Sequence, residues 1–595
     1  MSPKSIEKIK AGYPVSYAQR RMWFLSRLES ENLVNNSSIK AWLTGDLKVL
    51  LFEKSVQRLV ARHEAFRTNF FQSGGGEVIQ VINRYEKINI NFYDFRKYSG
   101  KDLKNKIKTA QEENTKRRFN LSHDRLIRVS LLRIADNKYI FLMTLHHIVS
   151  DAWTLAFFWN ELSEIYESLV ARRKINLPNL SIQYKDYAVW EQSPRYLPQF
   201  NSQKEYWLKE LEKIPALTPL PLDFTRPAVQ TYNHETLVFQ LDRGLVKKIE
   251  KICAELNVTN YTFLLSCLAI FLQQLNDAKD LVIGTYVANR DQAELERVAG
   301  TLLNNLALRL APSPDILLRN FICEANQKVL LAMANQDYPF EKLIEDLKVE
   351  RTASHAPLFN VVFQVFVQDS NFMEKNFSGF RKKTEIFNSK FFQHDLTFRM
   401  GISEKKFGFD LSYNKDLFTR QSIKELARLF QRTIEIATRN INLKIGDLKI
   451  TNAKQKQRYQ EKCRQSVFSP GFIENYALLS PRQAEFENTI IDIWKNVLKQ
   501  KKIKRTDDFF RLGGHSLKII QVYDGLEKIF PGQVSVVDLF NFYTPAALAE
   551  YLLNKKNDRE KKQTFSSRQE FSELLDQVKN RQISIEAAVD KIWDI

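Results

Sequence analysis

The run YIFLMTLHH, Tyr139 to His147, narrows the folds open to this chain. It is apolar almost throughout until two histidines close it. A run with no polar alternation reads as an interior strand, covered on both faces. Just beyond it, WTLAFFWNELSEIYESLV (Trp153 to Val170) has the length and period of an amphipathic helix. A buried strand feeding a helix is the unit from which α/β layers are built.

The same mixture continues from about Tyr13 to about Thr451. LFEKSVQRLVARHEAF spaces Leu51, Val56, Leu59, Val60 and Phe66 at helical intervals. FFQSGGGEVIQVI reads as strand, glycine turn, strand. Its glycines (Gly74, Gly75, Gly76) have no helix after them, so they are not a phosphate loop. TFLLSCLAIFLQQL (Thr262 to Leu275) is too short to span a bilayer and reads as a buried core helix.

At 595 residues, 44% hydrophobic and 12% aromatic, the chain has the make-up of several folded domains. A polar stretch over 451–480 reads as a linker. A compact helical unit follows over 481–555. In 556–595 a charged linker, NKKNDREKKQTFSSRQ, leads into FSELLDQVKNRQISIEAAVDKIWDI. That last segment regains helical periodicity but is too small for a core of its own. It is expected to bury its apolar face on a partner chain.

The N-terminal MSPKSIEKIKAGY has no apolar core of a secretory signal. Cys253, Cys267, Cys323 and Cys463 are scattered and form no CxxC pair, so a reducing cytoplasm is expected. The formal charge of +20 raises the question of nucleic acid. The lysines are spread along the chain and the aromatics lie inside apolar runs, not among basic residues. A nucleic-acid groove needs both on one surface, so neither nucleic acid nor a membrane is an expected partner.

His146 and His147 are adjacent at a strand end, and strand neighbours point to opposite faces. They do not easily share a metal, and no third ligand stands at a usual spacing, so no metal is expected. One ring can face a cavity while the other faces the core. Asp151, four residues on, either orients a ring or anchors the loop through a buried arginine. Taken alone, the constellation is more commonly that of two buried structural histidines.

HHIVSDAW resembles the HHxxxDG signature of condensation domains of nonribosomal peptide synthetases, in the chloramphenicol acetyltransferase-like superfamily. Six companion stretches stand in the family's order: SYAQRRMWFL (Ser16 to Leu25), RHEAFRTNF (Arg62 to Phe70), YKDYAVW (Tyr184 to Trp190), IGTYVANR (Ile283 to Arg290), NQDYPFEKL (Asn335 to Leu343) and APLFNVVF (Ala356 to Phe363). The resemblance implies a condensation domain over 1–450, built as two α/β lobes in a V, about 13–180 and 181–450. An active-site tunnel would lie between them. It implies acyl transfer: an acceptor amine attacks a donor acyl thioester and an amide forms. By position, His147 is the catalytic histidine and His146 is structural. Asp151 pairs with Arg290 to fix the loop. Ala152 departs from the family's glycine, and is expected to restrict φ, narrow the tunnel or disturb a backbone N–H. Asn335 stands where the family often has histidine, away from the chemistry.

DDFFRLGGHSLKIIQVYDGLEKIF (Asp507 to Phe530) sets Gly513 and Gly514 before Ser516, where a helical pattern begins. A serine at a helix N-terminus suits a phosphate, or is simply a cap. Position 518 is lysine, so a nucleophile elbow is excluded. The stretch resembles the DxFFxLGGxS signature of peptidyl carrier proteins. That implies a four-helix bundle with 4′-phosphopantetheine on Ser516, added by a separate phosphopantetheinyl transferase. The tail is similar to docking segments of assembly-line subunits, which implies a downstream subunit. No adenylation domain or thioesterase elbow is visible. The resemblance therefore implies a condensation–carrier didomain in secondary metabolism such as antibiotic biosynthesis, served by an upstream donor carrier and an adenylation enzyme in trans. The alternatives are an ester-forming domain, or a degenerate block acting as a carrier or docking scaffold.

Overall fold

In the computed structural model, the strand Lys138–His146 lies inside a six-stranded sheet. It pairs antiparallel with Asn36–Gly45 on one side and Ile127–Ala135 on the other. Both of its faces are covered. Ile140 and Leu142 pack with Leu132, Phe95 and Ala110, the last on helix Gly100–Lys116. On the opposite face Phe141 meets Phe52 of helix Val49–Arg62 and Trp159 of helix Ala152–Val170, each with ring centroids 5.4 Å apart. This is why the run is apolar without alternation. The description covers residues 12–28, 35–73, 77–193, 197–215, 217–227, 230–349, 354–367, 374–387, 394–403, 406–467, 481–510, 512–514 and 516–555.

Strands Thr68–Gln72 and Val78–Ile82 pair antiparallel, as the sequence suggests, with Tyr13–Pro14 beside them. The three glycines between them lie outside the described residues. A second six-stranded sheet runs in the order Asn304–Leu310, Leu281–Val287, Val361–Val367, Leu396–Ser403, Lys406–Asn414, His234–Gln240. One face carries helices Asn260–Asn276 and Arg420–Arg439. There Phe398 packs on Phe271 at 6.4 Å and on Phe430 at 5.1 Å. Every residue from Thr262 to Leu275 is buried, so this segment is a core helix. Among the described residues no single helix is long and apolar enough to cross a membrane.

Two sequence boundaries need correction. The first lobe does not close at residue 180. Strand Phe380–Phe387 joins the first sheet antiparallel to Asn36–Gly45, with Glu374–Phe377 at its outer side. The second lobe's sequence thus lends two strands to the first lobe's sheet, a long-range pairing that local pattern does not encode. The 451–480 stretch is not linker throughout, because Ala453–Val467 is a helix. It turns Tyr459 and Cys463 inward. Its Lys462 Nζ lies 2.6 Å from Asp223. Two apolar positions one turn apart anchor it, too few to stand out among Lys, Gln and Arg.

The chain divides into two compact units, Met1–Phe472 and Ile473–Ile595. The second is helical, with Pro481–Leu498, Ser516–Ile529, Val536–Asn541 and residues 545–555. Trp494 and Phe509 meet edge to face at 4.8 Å in its core. Residues 468–480 and 556–595, including the proposed docking tail, lie outside the described residues.

Gly300 packs against the Tyr184 ring with no room for a side chain. Its φ is +153°, and a Cβ there would fall 1.8 Å from the Tyr184 ring. Tyr184 is buried, donating to the Thr301 carbonyl at 2.6 Å and sharing a hydrogen bond with Ser16 at 2.7 Å. Gly300→Ala is expected to destabilise the condensation unit by about 2 kcal/mol or more. Urea unfolding checks this, with the carrier unit's transition unmoved.

Candidate active site and carrier site

His146 and His147 occupy different environments. His146 ends the strand and is 5% exposed. Its Nδ1 accepts from the Ile148 N–H at 3.1 Å, and its ring meets Phe119 edge to face. Burial, reinforced by the nearby Arg128 charge, pushes its pKa down to about 3. His146 is therefore neutral and locked in place.

His147 opens a short 3₁₀ turn, Val149 closing it, and is only partly buried. Its N–H donates to the Asn35 carbonyl at 2.7 Å. Its Nδ1 lies 3.2 Å from the Ser150 carbonyl oxygen. A carbonyl only accepts, so Nδ1 carries the hydrogen and Nε2 keeps a free lone pair. Burial lowers the pKa of His147, opposed by the Ser150 carbonyl and Asp151 and reinforced by Arg21. The ring is a neutral base with its lone pair pointed away from its support.

Asp151 caps helix Ala152–Val170, accepting from the Thr154 N–H at 2.7 Å and the Thr154 hydroxyl at 2.8 Å through Oδ1. Through Oδ2 it accepts from Arg290 at 2.9 Å and the Leu302 N–H at 3.2 Å. Arg290 also donates to the carbonyls of Leu295, Val298 and Gly300. The structure thus joins Asp151 to Arg290 across 139 residues, with their side chains 6% and 1% exposed. Ala152 is the exposed first residue of the helix, with ordinary helical backbone. Its methyl imposes no φ strain, because nothing there requires a positive φ.

Sequence reading passed over Arg21. It sits on helix Tyr17–Leu28 and pairs with Glu341 at 3.1 Å, tying the two lobes together. Its field also reaches His147. An arginine inside a helical pattern gives no local sign of this role. Asn335 Nδ2 donates to the Leu331 carbonyl at 2.8 Å, an exposed helix-end contact.

In the carrier unit, Ser516 is the first residue of helix Ser516–Ile529. The turn before it depends on glycine. Gly513 has φ +86°, and a Cβ on Gly514 would lie 2.3 Å from the Phe509 ring. The Gly514 N–H donates to the Phe509 carbonyl at 2.9 Å, and Lys518 Nζ to the Gly513 carbonyl at 3.0 Å. The buried Phe509 thereby sets where this helix begins. His515 lies outside the described residues. A serine heading a helix of this length, after a turn only glycine fits, suits a phosphodiester.

The condensation-domain profile matches residues 9–459, and the profile of the phosphopantetheine attachment site matches 488–552. The chain belongs to the condensation-domain family. It is a condensation domain followed by a phosphopantetheine carrier domain, of nonribosomal peptide synthetase type. It is similar to surfactin synthase subunit 1 of Bacillus subtilis (strain 168), 32% identical over 76% of this chain and 12% of the relative. Gramicidin S synthase 2 of Aneurinibacillus migulanus is 31% identical over 75% of this chain and 10% of the relative. The chain therefore spans about a tenth of the length of these relatives. Among solved structures, the X-domain from teicoplanin biosynthesis, in complex with OxyB, superposes with a TM-score of 0.67 at 25% identity, over 74% of this chain and 96% of that one. The starter condensation domain of rhizomide synthetase superposes at 0.64 and 18% identity, over 75% and 99%, and supports the fold alone.

A double-mutant cycle tests the condensation domain's buried pair. Asp151→Leu or Arg290→Leu alone is expected to cost about 3–5 kcal/mol, because each leaves a buried charge unpaired. The double variant is expected to recover a substantial part, read as a coupling energy in urea unfolding.

Proposed function

We propose that this chain forms an amide bond between a donor acyl thioester and an acceptor amine, with Ser516 as the phosphopantetheine attachment point. The observation that carries this reading is the His147 ring, neutral, partly exposed and aimed by the Ser150 carbonyl so that Nε2 is free. Such a nitrogen takes the proton the attacking amine must lose, or holds that amine in line. His146 supports the strand end. Asp151 and Arg290 hold the loop and take no part in the chemistry. Phosphopantetheine, when bound, supplies a thiol on which acyl groups ride. The chain's own contribution there is the Gly513–Gly514 turn, which presents Ser516 at the head of a helix.

On this reading the partners are an upstream donor carrier, an adenylation enzyme acting in trans, a phosphopantetheinyl transferase and a downstream subunit met through the tail. Ester formation uses the same base with a hydroxyl acceptor. A scaffold reading has support of its own in the likeness to an X-domain solved in complex with OxyB.

The test converts the carrier to its pantetheinylated form, loads an amino acid, offers an acyl donor carrier and weighs the product by intact mass spectrometry. We expect a donor-dependent mass gain that His147→Ala slows by about 10²–10⁴-fold. No gain with any donor supports the scaffold, and a gain whose rate is unchanged in His147→Ala removes His147 from the chemistry. A Ser516→Ala chain that still takes up the pantetheine mass removes the carrier assignment.

The pH dependence has a definite sign. His147 acts unprotonated, and burial lowers its pKa below the ordinary histidine value. Its single-turnover rate is therefore expected to be flat around pH 7 and to fall only at a pH below about 6.5. An acid limb centred above pH 6.5 contradicts this environment.

A further inference from the structure

Opposite the face that carries helices Asn260–Asn276 and Arg420–Arg439, the second sheet presents polar residues. Phe398 and Phe409 point into the helix-packed core. Alternation therefore sends their neighbours Arg399 and Asp410 to the other side. The two face each other across the strands, 3.2 Å apart, and Gln364 lies next to Arg399. Val362 lies beside Gly284, which brings Gln364 alongside Tyr286 two residues further on. A Cβ on Gly284 would fall 2.1 Å from the Phe359 ring, so glycine there lets Phe359 lie flat on the sheet. His394 rests on Phe359 at 5.1 Å and meets the Tyr286 ring at 6.2 Å.

His394 is 4% exposed; its ring reaches the Phe359 backbone carbonyl through one nitrogen, and the other has no partner among the described residues. A buried ring nitrogen left unpaired is costly. Burial, chiefly, lowers its pKa to about 4, so the ring is neutral. The helix that carries Arg21 also reaches the His147 turn, where Gln19 Nε2 donates to the Ile148 carbonyl at 3.5 Å, and the charge of Arg21 bears on His147, Tyr286 and His394.

We propose that Tyr286, Gln364, Arg399 and His394 form a recognition strip for an uncharged, hydrogen-bonding side chain, a carboxamide or hydroxyl, on the substrate brought to His147. This rests on the reading of His147 as the reacting centre. The charges decide the class. Arg21 is matched by Glu341 and Arg399 by Asp410, so the strip carries no net charge. A carboxylate or ammonium side chain would lose its water without gaining a counter-ion. An apolar side chain would leave the open imidazole nitrogen unpaired. A site built to hydrogen-bond its substrate rejects the analogue that lacks the group.

The test uses probes that bind without reacting. Pantetheine amides of glutamine and of norleucine, nearly equal in size, are titrated into the full-length chain by calorimetry. The free amines stand for the acceptor, and the N-acetyl forms for the donor. Wild type is expected to prefer the glutamine probe by about 10–100-fold on one of the two arms, which identifies the substrate. Tyr286→Phe and His394→Phe should each cut that preference to less than about a third of its wild-type value. Tyr286→Phe removes one oxygen atom and guards against a folding defect in the other. No preference on either arm, or a preference unchanged in both variants, overturns the strip. The probes do not react, so this outcome is independent of whether the chain forms amides. Amide formation without preference would remove the strip and leave the reaction standing.

Discussion

The buried ion pair between Asp151 and Arg290 is the contact on which the candidate active site depends. Asp151 caps a helix of the first lobe, and Arg290 follows a strand of the second sheet. Their side chains are almost wholly out of water, where a lone charge is expensive and a matched, fully bonded pair is tolerable. Asp151 meets this condition with four accepted hydrogen bonds, two from Thr154 and one each from Arg290 and Leu302. The consequence passes one residue back along the chain. Fixing Asp151 fixes the Ser150 carbonyl, and that carbonyl selects which nitrogen of His147 carries its hydrogen. The charged residue is thus separate from the neutral imidazole it helps to orient.

The two histidines show how backbone geometry divides labour between identical side chains. His146 belongs to the strand and is sealed by Phe119 and the Ile148 N–H. His147 has left the strand for a 3₁₀ turn and keeps part of its ring exposed. Both are neutral near pH 7, but only His147 offers a lone pair to anything outside the protein. In the carrier unit the division is similar. Phe509 packs the core and dictates the glycines, and the glycines place Ser516 at the head of its helix.

Much of this was legible in the sequence because it is local. The apolar run to His146 and the segment Thr262 to Leu275 announce burial by composition alone. Strand alternation predicts that His146 and His147 face apart, but in the structure their environments differ because His147 has left the strand for the 3₁₀ turn. What stayed hidden is long-range or sparse. Strand Phe380–Phe387 pairs with Asn36–Gly45, more than three hundred residues away, and no periodicity encodes a partner at that distance. Helix Ala453–Val467 hides behind its charges, because Tyr459 and Cys463 are nearly its only inward anchors. The expected strain at Ala152 came from a motif comparison. The structure shows an ordinary helix start, where alanine fits as well as glycine.

The most direct measurement is nitrogen NMR of the imidazoles in histidine-labelled protein, with His147 assigned by substitution. The account predicts the Nδ1–H tautomer of His147 at pH 7, with Nε2 unprotonated and titration below the ordinary histidine range. It also predicts that Asp151→Asn, which loosens the Ser150 carbonyl, mixes the two tautomers. A charged His147 at pH 7, or an Nε2–H tautomer in the wild-type chain, would contradict it.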